Sequence, residues 1–280
     1  MQPDPTTFLF LILLGGVGGF LAGLMGVGGG MVFVPLLTHF LVINGVKGND
    51  LVMAVLANSH FAIIFSGLSG SFKQYRMKNF HPKQIFQTAW PGMLIALLII
   101  WSNHQWHWYN KERFTIFFIS LLLFIAIRLF IKRKNESYST QALESPPYKF
   151  QIIGFVSGII TALSGLGGGI LMVPAFSEFL KMDLRKATGI STGVIVFFAA
   201  AQSLFYAFSS PSNWPKSLPH QGFIVFSLVA PVIIGVLIAA PVGVRASHRM
   251  SKEKLTIWFV LFTLAVSAKL LFDFFLASPK

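Results

Sequence analysis

Gly26-Val27-Gly28-Gly29-Gly30-Met31-Val32-Phe33-Val34-Pro35 is the stretch that decides the fold, because the chain contains it twice. The second copy is Gly165-Leu166-Gly167-Gly168-Gly169-Ile170-Leu171-Met172-Val173-Pro174, and each residue follows its counterpart by 139 positions (165 − 26). Both copies lie inside long apolar segments. Glycine weakens a helix by about 1 kcal/mol relative to alanine and permits unusual backbone angles, so consecutive glycines break a helix. The sequence therefore predicts two halves, each with an apolar helix broken at the same place.

The repeat extends well beyond the glycines. Segment 111–118 matches 252–259 at a spacing of 141 (252 − 111), and Pro91 matches Pro231 at 140 (231 − 91). Because the spacing drifts by so little, we interpret the pattern as a duplication and not as shared composition. The predicted organisation is a transmembrane repeat at 1–131, a polar cytoplasmic linker at 132–149 and a second transmembrane repeat at 150–280.

The composition is that of a membrane protein. The chain is 54% hydrophobic and 11% charged, with a mean hydropathy of +0.70, whereas soluble domains carry about 25% charged residues. Apolar runs reach the length of about 17 to 25 residues that spans a bilayer, and they lack the alternation of a membrane barrel. They lie at 8–44, 51–70, 85–102 and 114–131, and again at 150–180, 187–209, 223–244 and 255–276. We predict an all-α integral membrane protein with about 8 to 10 membrane segments, each half a glycine-broken pair plus three transmembrane helices.

The charge and the cysteine count exclude several classes of function. A net charge of +13 is explained by the collection of Lys and Arg in cytoplasmic loops, so no nucleic-acid partner is predicted. The absence of cysteine excludes disulfides and cysteine metal sites. His104 and His107 have a ligand-like spacing but lie in an aromatic segment typical of a membrane interface. We predict no metal and no other cofactor, and membrane lipids as surroundings.

The basic loops indicate how the two halves are oriented. Loop 72–84 is richer in Lys and Arg than its counterpart 210–221, whereas loop 102–113 is poorer in them than its counterpart 245–254. A third pair of loops continues this alternation, which inversion of one half requires. With the linker in the cytoplasm, the sequence predicts inverted-topology repeats with both termini outside. A parallel four-plus-four arrangement remains the alternative, and the broken pair either crosses the membrane or is re-entrant.

The broken helices are candidates for an anion site. Backbone groups freed in hydrocarbon must find partners or line a cavity, and a helix N-terminus carries partial positive charge. Two inverted breaks would aim two such N-termini at one point near the midplane, where transporters bind substrate. The alternative is close helix packing through small residues. The predicted substrate-binding backbone is that of Gly28, Gly29, Gly30, Gly167, Gly168 and Gly169.

Polar residues inside the apolar runs form two further candidate groups. One group is Asn58, Ser59 and His60, and the other is Thr188, Ser191 and Thr192. At a spacing of 133 (187 − 54), segment 54–59 aligns with 187–192. We predict that Asn58, Ser59, Ser191 and Thr192 hydrogen-bond the substrate, with helix–helix hydrogen bonding as the alternative.

Three titratable residues are candidates for proton transfer or gating. They are His60, Glu178 and His39, the counterpart of Glu178. A membrane-interface position is the alternative for Glu178 and His39. A cation transporter usually needs a central carboxylate, and none is evident, which favours an anionic substrate. No nucleophile–base arrangement is identifiable, so an enzyme is not predicted.

The duplicated motif, together with 231–235 and 241–245, resembles the TauE/SafE family of membrane transporters. The resemblance covers nearly the whole chain, from Gly15 to about Leu271. It implies export of sulfite or of small organosulfur anions such as sulfoacetate. The first polar group departs from the family pattern, which more often has a small residue with Thr-Ser, so His60 is expected to alter the substrate or the response to pH.

The functional prediction is a secondary transporter in the inner (plasma) membrane. It would move a small anion, sulfite or an organosulfur anion, by alternating access, with the site between the two glycine-broken helices. The alternatives are a passive anion channel and a membrane-embedded enzyme or assembly factor in sulfur metabolism. A homodimer is also predicted.

Overall fold

The computed structural model describes residues 4–131, 143–249 and 264, and these ranges are helical apart from short connections. Of the predicted linker, 132–142 lies outside the described residues, as does the last predicted helix, 255–276, except for residue 264. The described helices are α1 (Pro5–Met25), α2 (Gly30–Ile43), α3 (Gly48–Arg76), α4 (Pro82–Trp106), α5 (Lys111–Ile131), α6 (Pro147–Ser164), α7 (Gly169–Phe179), α8 (Leu184–Phe208) and α9 (Phe226–Arg249).

Local sequence explains where these helices begin and end. Helices α1, α4 and α6 have proline in the first turn, where a missing N–H costs nothing. Helix α8 begins after Asp183, whose Oδ1 accepts a hydrogen bond from the Arg185 N–H at 2.9 Å. Helices α1 and α6 end at Gly26 and Gly165, with φ of +70° and +71°, the left-handed conformation that glycine adopts at a helix end.

Five of the described helices, α1, α3, α4, α8 and α9, are long and apolar enough to cross a membrane. The prediction of an all-α, multi-pass membrane protein is confirmed. Helices α2 and α7 are shorter, with 14 and 11 residues. At 1.5 Å per residue they extend about 21 Å and about 16 Å, less than the roughly 30 Å of a hydrocarbon core.

The short helices fold back along the helices that precede them. Phe10 on α1 contacts Phe40 on α2, with ring centroids 6.4 Å apart. Phe150 on α6 contacts Phe176 on α7 in the same way, at 5.9 Å. Each broken pair is therefore a helical hairpin with the glycine motif at its tip.

Helix α1 packs directly on α9 through glycines. A Cβ added at Gly15 would lie 2.7 Å from the Val232 Cα, and one added at Gly23 would lie 2.9 Å from the Ala240 carbonyl carbon. The contact moves eight residues along α1 as it moves eight residues along α9, so the two helices run parallel. Small residues let membrane helices approach this closely, which maximises dispersion between backbones.

Helix α6 packs on α4 by the same device. A Cβ added at Gly154 would lie 2.9 Å from the Thr88 carbonyl carbon, and one added at Gly158 would lie 2.7 Å from the Gly92 carbonyl carbon. These two helices also run parallel. Since α6 is the sequence counterpart of α1 and α4 that of α9, the first helix of each half packs on the fourth helix of the other half.

Helices α3 and α8 cross at the centre of the bundle and run in opposite directions. Gly67 packs against Val196, whereas Gly70, one turn later, packs against Thr192. Helix α3 runs parallel to α9, because Phe61 contacts Phe226 and Ser69 contacts the Leu237 carbonyl.

Helix α8 runs parallel to α4, because Gly193 packs against Ile85 and Phe198 packs against Gly92. The directions of all these pairs are consistent with one another. Helices α1, α3 and α9 therefore run one way, and their sequence counterparts α6, α8 and α4 run the other.

The loops at one end of the helix bundle contain more Lys and Arg than the loops at the other end. At one end, Asn79 Nδ2 donates to the Arg185 carbonyl at 2.7 Å, which joins loop 72–84 to the start of α8. At the other end, Asp50 Oδ2 accepts from the Asn213 N–H at 2.6 Å, which joins the start of α3 to loop 210–221. The loops rich in Lys and Arg thus meet at one end and the poorer loops at the other.

Candidate functional site

The two glycine loops, 26–30 and 165–169, are buried and have the same backbone conformation. Gly26, Gly28 and Gly29 have φ of +70°, +88° and +82°, and their counterparts at 165, 167 and 168 have φ of +71°, +76° and +74°. Residues with a side chain rarely adopt these angles. The duplicated glycines are therefore required by the backbone and not only by packing.

The two loops contact each other reciprocally. A Cβ added at Gly30 would lie 2.7 Å from the Leu166 Cα and closer still to the Gly165 carbonyl oxygen. A Cβ added at its counterpart Gly169 would lie 2.8 Å from the Val27 Cα. The contact leaves no room for a side chain, so the loops must separate before an anion can lie between them.

Two serines clamp this contact. Ser59 Oγ on α3 donates to the Gly165 carbonyl at 2.8 Å, and Ser191 Oγ on α8 donates to the Gly26 carbonyl at 2.7 Å. Since Gly165 is the counterpart of Gly26, Ser59 corresponds to Ser191, at a spacing of 132 (191 − 59). The predicted alignment at 133, which paired Ser59 with Thr192, is wrong by one residue. The structure brings both predicted serines to the glycine loops.

Each loop also presents a helix N-terminus. The first hydrogen bonds of α2 run from the Val32 and Phe33 N–H groups to the Gly29 carbonyl, at 3.0 and 3.2 Å. In α7 the N–H groups of Leu171 and Met172 bond the Gly168 carbonyl, both at 3.1 Å. The amides before these bonds are the donors that a helix start leaves without intrahelical partners, and they carry its partial positive charge. Both loops therefore present backbone donors of the kind that the predicted anion site requires, and anion binding there stays a prediction.

Asn58 and Thr192 hydrogen-bond the main chain in this conformation. Asn58 Nδ2 donates to the Phe223 carbonyl at 2.9 Å, and Asn58 Oδ1 accepts from the Val225 N–H at 2.8 Å. The Asn58 amide thereby holds the chain that enters α9. Thr192 Oγ1 donates to the Thr188 carbonyl one turn earlier, at 2.6 Å. Substrate binding by Asn58 or Thr192 stays a prediction, and it would require these bonds to exchange.

His60 is fully buried beside Ser59, and neither ring nitrogen has a hydrogen bond of normal geometry to the described residues. Its ring lies near the backbone of Leu56 and Thr161. Thr161 Oγ1 and Ser157 Oγ, one turn apart on α6, are also buried and have no hydrogen-bond partner in the described part of the chain. Buried polar atoms in native proteins are nearly all satisfied, so His60 on α3 and the α6 polar group, which consists of Ser157 and Thr161, are candidates for contact with a ligand.

Sequence reasoning missed Ser157 and Thr161. Their counterparts at the spacing of 139 are Gly18 and Ala22, which carry no polar side chain. The sequence did contain a signal for them: at these two matched positions, the second repeat has polar residues and the first does not. The polar surroundings of the two glycine loops therefore differ between the halves.

His39 and Glu178 lie away from the glycine loops. Each is nine residues beyond the first residue of its helix (39 − 30 and 178 − 169), which is about 14 Å along the helix axis. His39 is exposed and packs edge-on against Phe40, and Glu178 is half-buried. The structure does not join them to the other predicted site residues, so a role in proton transfer or gating would act from the base of each hairpin.

A family model described as Sulfite exporter TauE/SafE matches residues 11–270. The chain belongs to the TauE/SafE family. This family member is 24% identical over 269 residues to a probable membrane transporter protein of Haemophilus influenzae, covering 94% of this chain and 97% of that one. It is 26% identical to the probable membrane transporter protein YunE of Bacillus subtilis, covering 76% and 82% of the two chains. No solved structure matches the chain. This TauE/SafE protein is a multi-pass membrane transporter and not an enzyme.

Proposed function

We propose that this TauE/SafE protein moves a small anion, sulfite or an organosulfur anion, across the inner membrane by alternating access. The observation that carries the proposal is the reciprocal contact of the two buried glycine loops, in which the first residue of α2 packs against Gly165 and Leu166 and the first residue of α7 packs against Gly26 and Val27. Such N-termini bind anions without a basic side chain. The family name adds sulfite as the first substrate to test.

We infer that the two halves are inverted-topology repeats and that the glycine hairpins are re-entrant. Opposite directions of the sequence counterparts α1 and α6, α3 and α8, and α4 and α9 support this inference. So does the meeting of the glycine loops near the middle of α3 and α8, against Ile63 and Ile195. An inverted pair has two conformations that exchange the roles of its halves, which is a basis for alternating access.

The serine clamps suggest how substrate enters. In the closed contact, Ser59 and Ser191 donate to the carbonyls of the opposite glycine loop. When the loops separate, both hydroxyls and the first amides of α2 and α7 become free to donate to an anion. The α6 polar group adds donors on one side, beside the second loop. The closed state and the anion-bound state thus compete for the same donors.

The experiment is uptake of labelled sulfite into proteoliposomes, with competition by sulfate, thiosulfate, sulfoacetate and taurine. We expect saturable uptake with counterflow, lost when Gly29→Leu and Gly168→Leu are combined, because both positions have positive φ. Gly16→Ala is the matched control, since its Cβ would meet nothing closer than 3.9 Å. Uptake without saturation or counterflow would favour a passive anion channel. Folded protein that transports none of these anions would contradict the sulfur-anion assignment.

The homodimer remains a prediction. Light scattering of the protein in detergent measures it directly. A mass equal to one chain of 30.9 kDa, after subtraction of the detergent, would contradict it.

A further inference from the structure

A buried amide network joins four helices at the basic end of the bundle. Asn79 Nδ2 donates to Gln74 Oε1 at 2.8 Å and to the Arg185 carbonyl at 2.7 Å. Gln74 and Asn79 are only 1% and 8% exposed. His81 Nε2 lies 3.3 Å from Asn79 Oδ1, and His248 Nε2 lies 3.4 Å from Gln74 Oε1. We call these five residues the Gln74 cluster.

One strong donor in this cluster has no partner among the described residues. Gln74 Nε2 is buried and makes no hydrogen bond to any residue of 4–131 or 143–249. Its orientation follows from its neighbours: the Arg185 carbonyl can only accept, so Asn79 must present its nitrogen there and Gln74 its oxygen to Asn79. The Gln74 nitrogen is then left pointing away from the network. A buried donor of this kind requires an acceptor.

Most of the charged groups that the structure describes around the Gln74 cluster are cationic. Lys186 interacts with His81, and Lys73, which itself interacts with Arg245, interacts with His248. The Asp183 carboxylate is already used as the cap of α8. Of the described residues, the titratable groups that belong to the cluster or interact with its members are His81 and His248, Lys73 on α3, Asp183, Arg185 and Lys186 at the start of α8, and, through Lys73, Arg245 on α9 and Arg76, whose guanidinium lies over the Phe72 ring.

The positive-inside rule explains which side of the membrane these residues occupy. It does not explain why they converge on a buried amide whose donor is unpaired. Repelling charges held together by packed helices are stabilised by a counter-anion, and amide and guanidinium groups suit the oxygen atoms of an oxyanion.

We propose that the Gln74 cluster binds an oxyanion at the cytoplasmic end of the transport path, with Gln74 Nε2 as its buried donor and the surrounding Lys and Arg as its counter-charge. The same chemistry fits the transported anion, held before it enters, and the phosphate of an anionic lipid headgroup. The location of this site at the cytoplasmic end of a transport path rests on the proposed function; the binding itself does not.

The test measures binding and not transport, so its failure is distinct from failure of the proposed function. Purified full-length protein in neutral detergent is titrated with sulfite, sulfate or phosphate at constant ionic strength, with chloride as the reference salt. A second arm places the protein in nanodiscs with or without phosphatidylglycerol. The readouts are calorimetric affinity and the melting temperature.

Gln74→Glu is the decisive variant. It keeps the acceptor that Asn79 and His248 use but replaces the donor by a negative oxygen. We expect its affinity for the oxyanion to fall roughly 10- to 150-fold, as for loss of a charge-assisted hydrogen bond. We also expect the ligand-free variant to be at least as stable as the wild type, because its carboxylate faces the cations. Gln105→Glu is the matched control, since it makes the same change at an exposed position on α4, and should leave affinity within about twofold.

Each outcome decides the proposal. Dependence on Gln74 in detergent alone identifies the free anion as the ligand, and dependence only with phosphatidylglycerol identifies the lipid. Equal stabilisation by chloride in both arms would mean that water satisfies the donor, and the proposal would be overturned. Wild-type affinity in Gln74→Glu, or a ligand-free variant that loses stability, would also overturn it, because the amide would then be purely structural.

Discussion

Alanine at Gly30 or at Gly169 should act as a wedge between the two glycine loops. Neither residue has a positive φ, so alanine brings no backbone strain and only its methyl group is tested. At Gly30 the Cβ would lie 2.7 Å from the Leu166 Cα. Ordinary carbon contacts begin near 3.4 to 3.5 Å, so the loops must separate there by at least about 0.7 Å.

That displacement has a second cost. The Gly165 carbonyl moves with its loop, and the Ser59 hydrogen bond to it, now 2.8 Å, is stretched to the limit of about 3.5 Å. Overpacking costs about 1 to 3 kcal/mol and a lost hydrogen bond about 0.5 to 1.5 kcal/mol. We expect a total loss of about 2 to 4 kcal/mol, or about 4 to 16 °C in melting temperature. Gly169→Ala should behave alike, since it displaces the Gly26 carbonyl that Ser191 holds.

The assay is the temperature at which the protein in detergent loses its monodisperse elution peak, measured beside labelled-anion uptake. Gly16→Ala is the control: it lies in α1, the helix that leads into the first glycine loop, and the nearest neighbour of its Cβ would be 3.9 Å away, so it should match or exceed the wild type. Transport should fall at least about tenfold in both wedge variants, because the closed contact is one of the states that alternating access must visit. If Gly30→Ala and Gly169→Ala matched the control in stability and uptake, the reciprocal loop contact would be refuted.

Three further predictions follow from individual contacts. Gly15→Ala should destabilise the protein more than the adjacent alanine control, because its Cβ would lie 2.7 Å from the Val232 Cα; equal elution temperatures would contradict the α1–α9 packing. Ser59→Ala and Ser191→Ala should each cost about 1 to 3 kcal/mol by leaving a buried carbonyl unpaired, and Thr192→Val, which removes only a bond within α8, should cost less in the same assay. Burial, assisted by Lys186, lowers the pKa of His81 below its ordinary 6.5, so stability should be complete above about pH 6.5 and fall as the pH drops through the lowered pKa. His81→Gln should flatten that part of a melting-temperature profile against pH, and an unchanged profile would remove His81 as the cause.

Sequence reasoning reached the fold class because its signals are local. The apolar runs, the proline-led helix starts and the left-handed glycines at 26 and 165 all act within a few residues of chain. The duplication then predicted that the two breaks would be equivalent, and the charge of the loops predicted which loops share an end of the bundle. The linker 132–149 and the last helix were predicted by the same signals, but they lie largely outside the described residues.

Sequence reasoning reached the candidate site only in part. It named Ser59 and Ser191, but it paired Ser59 with the wrong residue, because an alignment of two short polar groups cannot resolve a shift of one position. It named Asn58 as a substrate ligand, but the sequence does not show that the side-chain amide of Asn58 hydrogen-bonds the main chain that leads into α9. It missed Ser157 and Thr161, which look like ordinary small residues of an apolar helix.

The amino-acid sequence by itself determined that this is a duplicated helical membrane protein with a glycine break in each half, since helix length and backbone freedom depend on neighbouring residues. Only the tertiary structure decided that Gly30 meets Gly165 and that Ser59 and Ser191 clamp opposite loops. It also decided that Gln74 Nε2 is left without a hydrogen-bond partner among the described residues. The contacts of the glycine loops join residues more than a hundred positions apart. They depend on which helix faces meet, and in a membrane that choice is made by close backbone packing and by the pairing of the few polar groups.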